Sequence, residues 1–157
     1  MAVSIGLDES ARKHNIDVLV RYLADTYVLY FKTHAFHWNV TGMQFHALHG
    51  FFEEQYQALF KSVDEIAERI RSLGAFAPSA TSELMTKASL KEMPAGKVPD
   101  AATMVATLIE DHEAVCRSLR VSIESVDAGG DQATADFLTE SLSNHEKIAW
   151  MLRSHLV

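Results

Sequence analysis

The sequence predicts an all-α fold: four long helices in one bundle, with a short extra helix in the connection between the second and third. Three observations carry that prediction. Apolar residues recur at the three-and-four spacing of helical stripes instead of alternating. The three prolines, Pro78, Pro94 and Pro99, all fall between residues 74 and 100, which leaves long unbroken segments on either side. A chain of 157 residues, 48% of them apolar, is long enough to bury one core, so residues 1–157 read as a single domain.

The first helix is expected to start near Asp8. From Ile16 the residues Val20, Leu23, Tyr27, Tyr30, His34 and His37 follow at alternating spacings of four and three, one stripe down a helix. It should stop around Trp38, where "NVTG" supplies turn chemistry. The second helix is expected from Met43 to Leu73, with Phe45, Leu48, Phe52, Tyr56, Leu59, Ile66 and Ile70 among its apolar positions and Gly74 just past its end. A short turn between two helices of roughly 45 Å makes them antiparallel neighbours. Residues 75–100 then form a connection too long to be structureless inside a compact domain, and "SELMTKASL" within it reads as a short helix. The third helix carries Met104, Leu108, His112, Val115, Leu119, Ser122 and Val126 on one stripe and ends before Gly129-Gly130. The fourth carries Leu138, Leu142, His145, Ala149, Leu152 and Leu156. Up-down, long crossover, up-down is the plan of a ferritin-like bundle.

Charge and composition narrow the function classes. The net charge is −7, and no basic patch or tail appears, which argues against a nucleic-acid binder. A single cysteine, Cys116, excludes an internal disulfide and fits a reducing compartment. "MAVSIGLDES" lacks a basic segment followed by an apolar one, and no run of about 18 apolar residues occurs. The expectation is therefore a cytoplasmic protein with no membrane contact.

The second helix holds the most informative polar set. His49, Glu53, Asp64 and Glu68 stand at relative angles of about 0°, 40°, 60° and 100°, one connected face. Imidazole with carboxylate is a ligand mixture suited to iron, manganese or zinc. His49 and Asp64 are nevertheless separated by roughly 22 Å of helix rise, whereas metal–ligand bonds are about 2 Å. The two ends of this face cannot bind one ion within one chain. One arrangement would recruit partners from the third and fourth helices, as di-iron bundles do with Glu-x-x-His motifs, but no glutamate here has a histidine three residues on. The favoured arrangement is a two-fold dimer with antiparallel second helices, which sets the His49 end of one chain beside the Asp64/Glu68 end of the other. His37, across the short turn from His49, completes the histidine half. His34, His112 and His145 lie on apolar stripes and read as satisfied core or interface residues. Trp38 and Trp150 read as packing anchors, and the acidic cluster Asp127, Asp131, Asp136 and Glu140 as charge at a helix N-terminus.

The run "KTHAFHWNVTGMQFHALHGFFEEQYQALFKSVDEIAERIRSLG", residues 32–74, resembles the signature of the Dps family, the miniferritins, and the likeness continues through "DFLTESLSNHEKIAWML". The resemblance implies a hollow dodecamer built from two-fold dimers, with a ferroxidase centre shared across each two-fold interface. It implies His37, His49 and Glu53 as ligands from one subunit, and Asp64 and Glu68 from the other. Glu53 stands where members of the family often carry Asp, a longer side chain of the same charge that can bind in another mode or through water. The implied chemistry is Fe(II) oxidation, with hydrogen peroxide the usual oxidant, and storage of ferric iron as protection against oxidative damage. The resemblance also makes Trp38 and Trp150 candidate radical traps, and makes Asp127, Asp131, Asp136 and Glu140 candidate pore-lining residues, Asp131 and Asp136 foremost. DNA-coating members use a lysine-rich tail, whereas the N-terminal arm here is formally neutral. DNA binding is thus expected to be weak or absent, with a DNA-compacting protein the alternative function.

Overall fold

A computed structural model of the chain describes residues 3–156. They form five helices: α1 (Glu9–Asn39), α2 (Phe45–Ser72), α3 (Thr81–Lys87), α4 (Ala101–Ala128) and α5 (Gln132–Arg153). There is no strand among the described residues, and no helix is long and apolar enough to cross a membrane. α1 pairs with α2 and α4 with α5, while α3 and α4 lean on α1. The predicted all-α, four-helix bundle with one short helix in the crossover is the observed fold.

The helix ends follow from local chemistry. Asp100 and Asp131 cap α4 and α5 by accepting from the backbone N–H of Thr103 (2.8 Å) and Thr134 (3.0 Å). Gly74 ends α2 at φ +93°, and a Cβ there would meet the Val3 side chain at 2.4 Å. α3 is shorter than the "SELMTKASL" reading. It stops at Lys87 because a buried carboxylate on α1, Asp25, takes over the next donors. Asp25 accepts from the Ser89 N–H (2.6 Å), the Ser89 hydroxyl (2.6 Å) and the Leu90 N–H (2.9 Å). α5 ends at Arg153, short of the Leu156 to which its stripe extends.

The core falls into two apolar clusters. One gathers Leu19, Leu23, Ile66, Ile70, Leu119 and Leu138; the other gathers Leu29, Phe36, Leu48, Phe52, Leu108 and Leu152. At their boundary α1, α4 and α5 contribute a polar chain. Tyr22 Oη lies 3.1 Å from His145 Nε2, and His145 Nδ1 lies 2.8 Å from His112 Nδ1. Both histidines are buried, as the apolar stripes predicted. In the Nδ1–Nδ1 contact one ring donates and the other accepts, so two imidazolium rings cannot share it. Burial pulls the His145 pKa down to about 4. Burial first, and His145 second, hold His112 well below the usual histidine range.

This pair makes the bundle acid-sensitive in a defined window. Above pH ~6.5 the rings are neutral in both the folded and unfolded states, and their contribution is fully present. As pH falls further the unfolded chain binds protons that the buried pair refuses, until His145 titrates near about 4. Urea unfolding midpoints should therefore drop steadily between pH ~6.5 and ~4. A double variant, His112→Gln with His145→Gln, should show a flatter decline; an equally steep one would assign the acid sensitivity elsewhere.

Candidate metal centre

His37 sits in the last turn of α1 and His49 early in α2, so the tight turn between the helices brings them together. Their rings stack with centroids 3.8 Å apart and planes 22° apart. His37 Nδ1 donates to the backbone carbonyl of His49 at 2.8 Å, and His49 Nδ1 donates to that of His37 at 2.9 Å. A carbonyl only accepts, so each Nδ1 carries the hydrogen, and each neutral ring is left with its lone pair on Nε2. The carbonyl of His37 is one of the unpaired acceptors at the end of α1, and the negative end of that helix favours a cation beside it. The pair therefore offers two oriented, undonated nitrogens at a half-buried site, which is the second-sphere arrangement that metal-binding histidines use.

Aromatic residues fix the rings from the other sides. Phe45 stacks on His49 at 5.0 Å, and Tyr56 meets His37 edge-on at 5.3 Å. Tyr56 also lies flat on His34, with centroids 3.8 Å apart and planes 15° apart. Desolvation, and then the neighbouring His37, lower the His34 pKa. His34 is thus a packing residue one turn deeper than the pair, as its stripe position predicted.

The carboxylates lie elsewhere on α2. Glu53 is exposed one turn beyond His49, and Asp64 and Glu68 are exposed further along the helix. Among the described residues no three His, Cys, Asp or Glu side chains come together as a metal site within one chain. The structure brings His37 and His49 together and leaves Asp64 and Glu68 apart from them, as helix rise demands.

A ferritin-like domain matches residues 16–157. Over 88% of this chain and 92% of its own length, the "DNA protection during starvation protein" of Brevibacillus brevis is 37% identical. This chain belongs to the Dps family of ferritin-like proteins. It is also 46% identical to a low temperature-induced protein of Nostoc sp., over 98% of this chain and 86% of that one. The Dps protein of Vibrio cholerae superposes with a TM-score of 0.92 at 30% identity, covering 100% of this chain and 98% of that one. That structure is described as a member of a superfamily of ferritin-like diiron-carboxylate proteins.

Within this Dps chain the remaining candidates separate. Trp38 and Trp150 are 58% and 60% exposed, so neither is a core anchor within one chain. Asp127, Asp136 and Glu140 are exposed. Asp131 does not fit the pore set: it is 3% exposed, and both its oxygens are engaged. It accepts from Asn15 (3.0 Å), from the N–H and hydroxyl of Thr134 (3.0 and 2.6 Å) and from Arg69 (3.0 Å). Burial alone would raise its pKa, but the Thr134 and Asn15 hydrogen bonds and the Arg69 charge hold it below the ordinary value. In the sequence Tyr56 reads only as an apolar position of the second helix. Its spacing of seven from His49, two turns of helix, was the available signal that it shares the site's face.

Breaking the Asp131 cluster should cost stability. Asp131→Ala removes the acceptor shared by Asn15, Thr134 and Arg69, leaving Arg69 only the Thr134 hydroxyl, and should destabilise by roughly 3 kcal/mol. The exposed Asp136→Ala should stay within about 0.5 kcal/mol of wild type. Chemical denaturation compares the two, and equal effects would contradict the structural role of Asp131.

Proposed function

We propose that this Dps protein is a ferroxidase and iron store that protects the cell from oxidative damage. Two ferrous ions are its substrate at each centre. His37, His49 and Glu53 of one subunit, with Asp64 and Glu68 of the partner subunit, bind them across a two-fold interface, and six such dimers close a dodecameric shell. The observation that carries this reading is the His37–His49 pair, whose Nδ1 atoms are tied back and whose Nε2 atoms are left to bind, with the matching carboxylates out of reach in the same chain.

The division of labour follows from ligand chemistry. Imidazole nitrogens accept the arriving Fe(II), and hard carboxylate oxygens favour the Fe(III) product. Hydrogen peroxide is the oxidant: two Fe(II) give one electron each, the O–O bond breaks, and with two protons both oxygens leave as water. The exposed acids Asp127, Asp136 and Glu140 raise the local concentration of cations and guide them inward. Trp38 and Trp150 serve as radical traps near the surface. DNA compaction is the weaker reading, because twelve chains at −7 each carry a formal −84 that repels phosphate.

Anaerobic loading with Fe(II), followed by peroxide and absorbance readout, tests the centre. Wild type should oxidise iron rapidly, and His37→Ala/His49→Ala and Asp64→Ala/Glu68→Ala should each lose that activity. Co-assembled from the two inactive chains, mixed shells should regain about a quarter of wild-type activity, since each mixed dimer restores one of its two sites. No recovery would place the site within one chain. Gel shifts with plasmid at moderate salt should show no retardation, and a stable complex at low-micromolar protein would revive the DNA-compacting reading.

A further inference from the structure

Three tyrosines lead away from the candidate centre. Tyr56 stands 5.3 Å from His37, Tyr30 stands 6.5 Å from Tyr56, and Tyr27 stands 6.0 Å from Tyr30, all measured between ring centroids. Each contact is tilted or edge-on, within van der Waals reach of the next ring. Tyr56 belongs to α2, and Tyr30 and Tyr27 to neighbouring turns of α1, so two packed helices hold the row in place. Phe60 closes one side of Tyr30 at 5.7 Å. All three tyrosines are half-buried, and none is needed as a ligand.

Electronic coupling between π systems falls steeply with separation, so rings in contact exchange an electron far faster than rings two side chains apart. Transfer between two phenols is close to thermoneutral because donor and acceptor are the same group. Tyr56 also touches Trp38's neighbour: His34 lies 3.8 Å from Tyr56 and 4.2 Å from Trp38. Imidazole is harder to oxidise than phenol, so the branch through His34 is uphill and the tyrosine branch is level.

We propose that Tyr56, Tyr30 and Tyr27 form an electron-supplying ladder that completes peroxide reduction when a centre holds only one Fe(II). This inference rests on the ferroxidase reading above. One Fe(II) gives one electron to hydrogen peroxide, and left there the O–O bond would break to hydroxide and hydroxyl radical. Tyr56 gives the second electron together with its phenolic proton, and solvent supplies one further proton. The products are Fe(III), two waters and a neutral tyrosyl radical. Tyr30 then reduces Tyr56, and Tyr27 reduces Tyr30; at each step the donor loses its phenolic proton to water and the reduced ring takes one up from water, so the radical ends on Tyr27, two rings beyond Tyr56.

The decisive experiment gives the shell one Fe(II) per centre, adds peroxide, and freezes samples for electron paramagnetic resonance. Wild type should show a tyrosyl radical. Tyr56→Phe should lose most of that signal and release more spin-trapped hydroxyl radical. Tyr30→Phe should keep a tyrosyl signal but lose most of the oxidation product mapped to Tyr27 by mass spectrometry. An undiminished tyrosyl signal in Tyr56→Phe, or a tryptophan radical alone in wild type, would overturn the ladder. A second arm uses iron-free protein and azidyl radicals made by pulse radiolysis. Here Tyr30→Phe should slow the build-up of oxidised Tyr27, and an unchanged rate would overturn the order of transfer. Slow iron oxidation in wild type with two Fe(II) per centre would instead overturn the ferroxidase reading, and with it this use of the ladder.

Discussion

Reciprocal hydrogen bonds between His37 and His49 tie the end of α1 to the beginning of α2, and the site is organised around that knot. The His49 ring satisfies a carbonyl that the end of α1 leaves unpaired, and the His37 ring adds a second donor to a carbonyl inside α2, so both rings are fixed by backbone groups. What remains unfixed is the outward nitrogen of each ring. A rigid helix of this length holds His49 and Asp64 roughly 22 Å apart along one face, too far to meet within one chain.

The core has its own compromise. Two apolar clusters would suffice to hold the helices together, yet a tyrosine and two histidines lie at their boundary, all three internally bonded. A purely apolar layer of the same volume would not discriminate among rotational settings of α1, α4 and α5 as sharply, since a hydrogen-bonded chain tolerates only one register. The neutral state of both rings is what makes this layer affordable at physiological pH.

Much of the fold was legible in the sequence because it rests on periodicity. The stripes of α1, α2, α4 and α5 gave helix type, count and order, and the turn residues gave boundaries within a few positions. The His37–His49 pair was legible because the turn between the helices is short. Asp131 was not: an acidic cluster in sequence does not reveal which member turns inward, and only the approach of Asn15 and Arg69 from distant segments decides it. The end of α3 was hidden for the same reason, since Asp25 lies more than sixty residues earlier in the chain. Tyr56 was concealed by its dual character, an aromatic on an apolar stripe that also faces the site.

The Asp25 clasp has a consequence for how the chain assembles. Its carboxylate is on α1, and the donors it holds are at residues 89 and 90, so every group in the clasp is synthesised before α4 begins. Domains emerge from the ribosome N-terminus first. The crossover can thus be anchored on a finished α1–α2 hairpin while the second hairpin is still being made. The direction in which the later helices are delivered is then set by one early carboxylate, and the long connection acts as a guide instead of a slack tether.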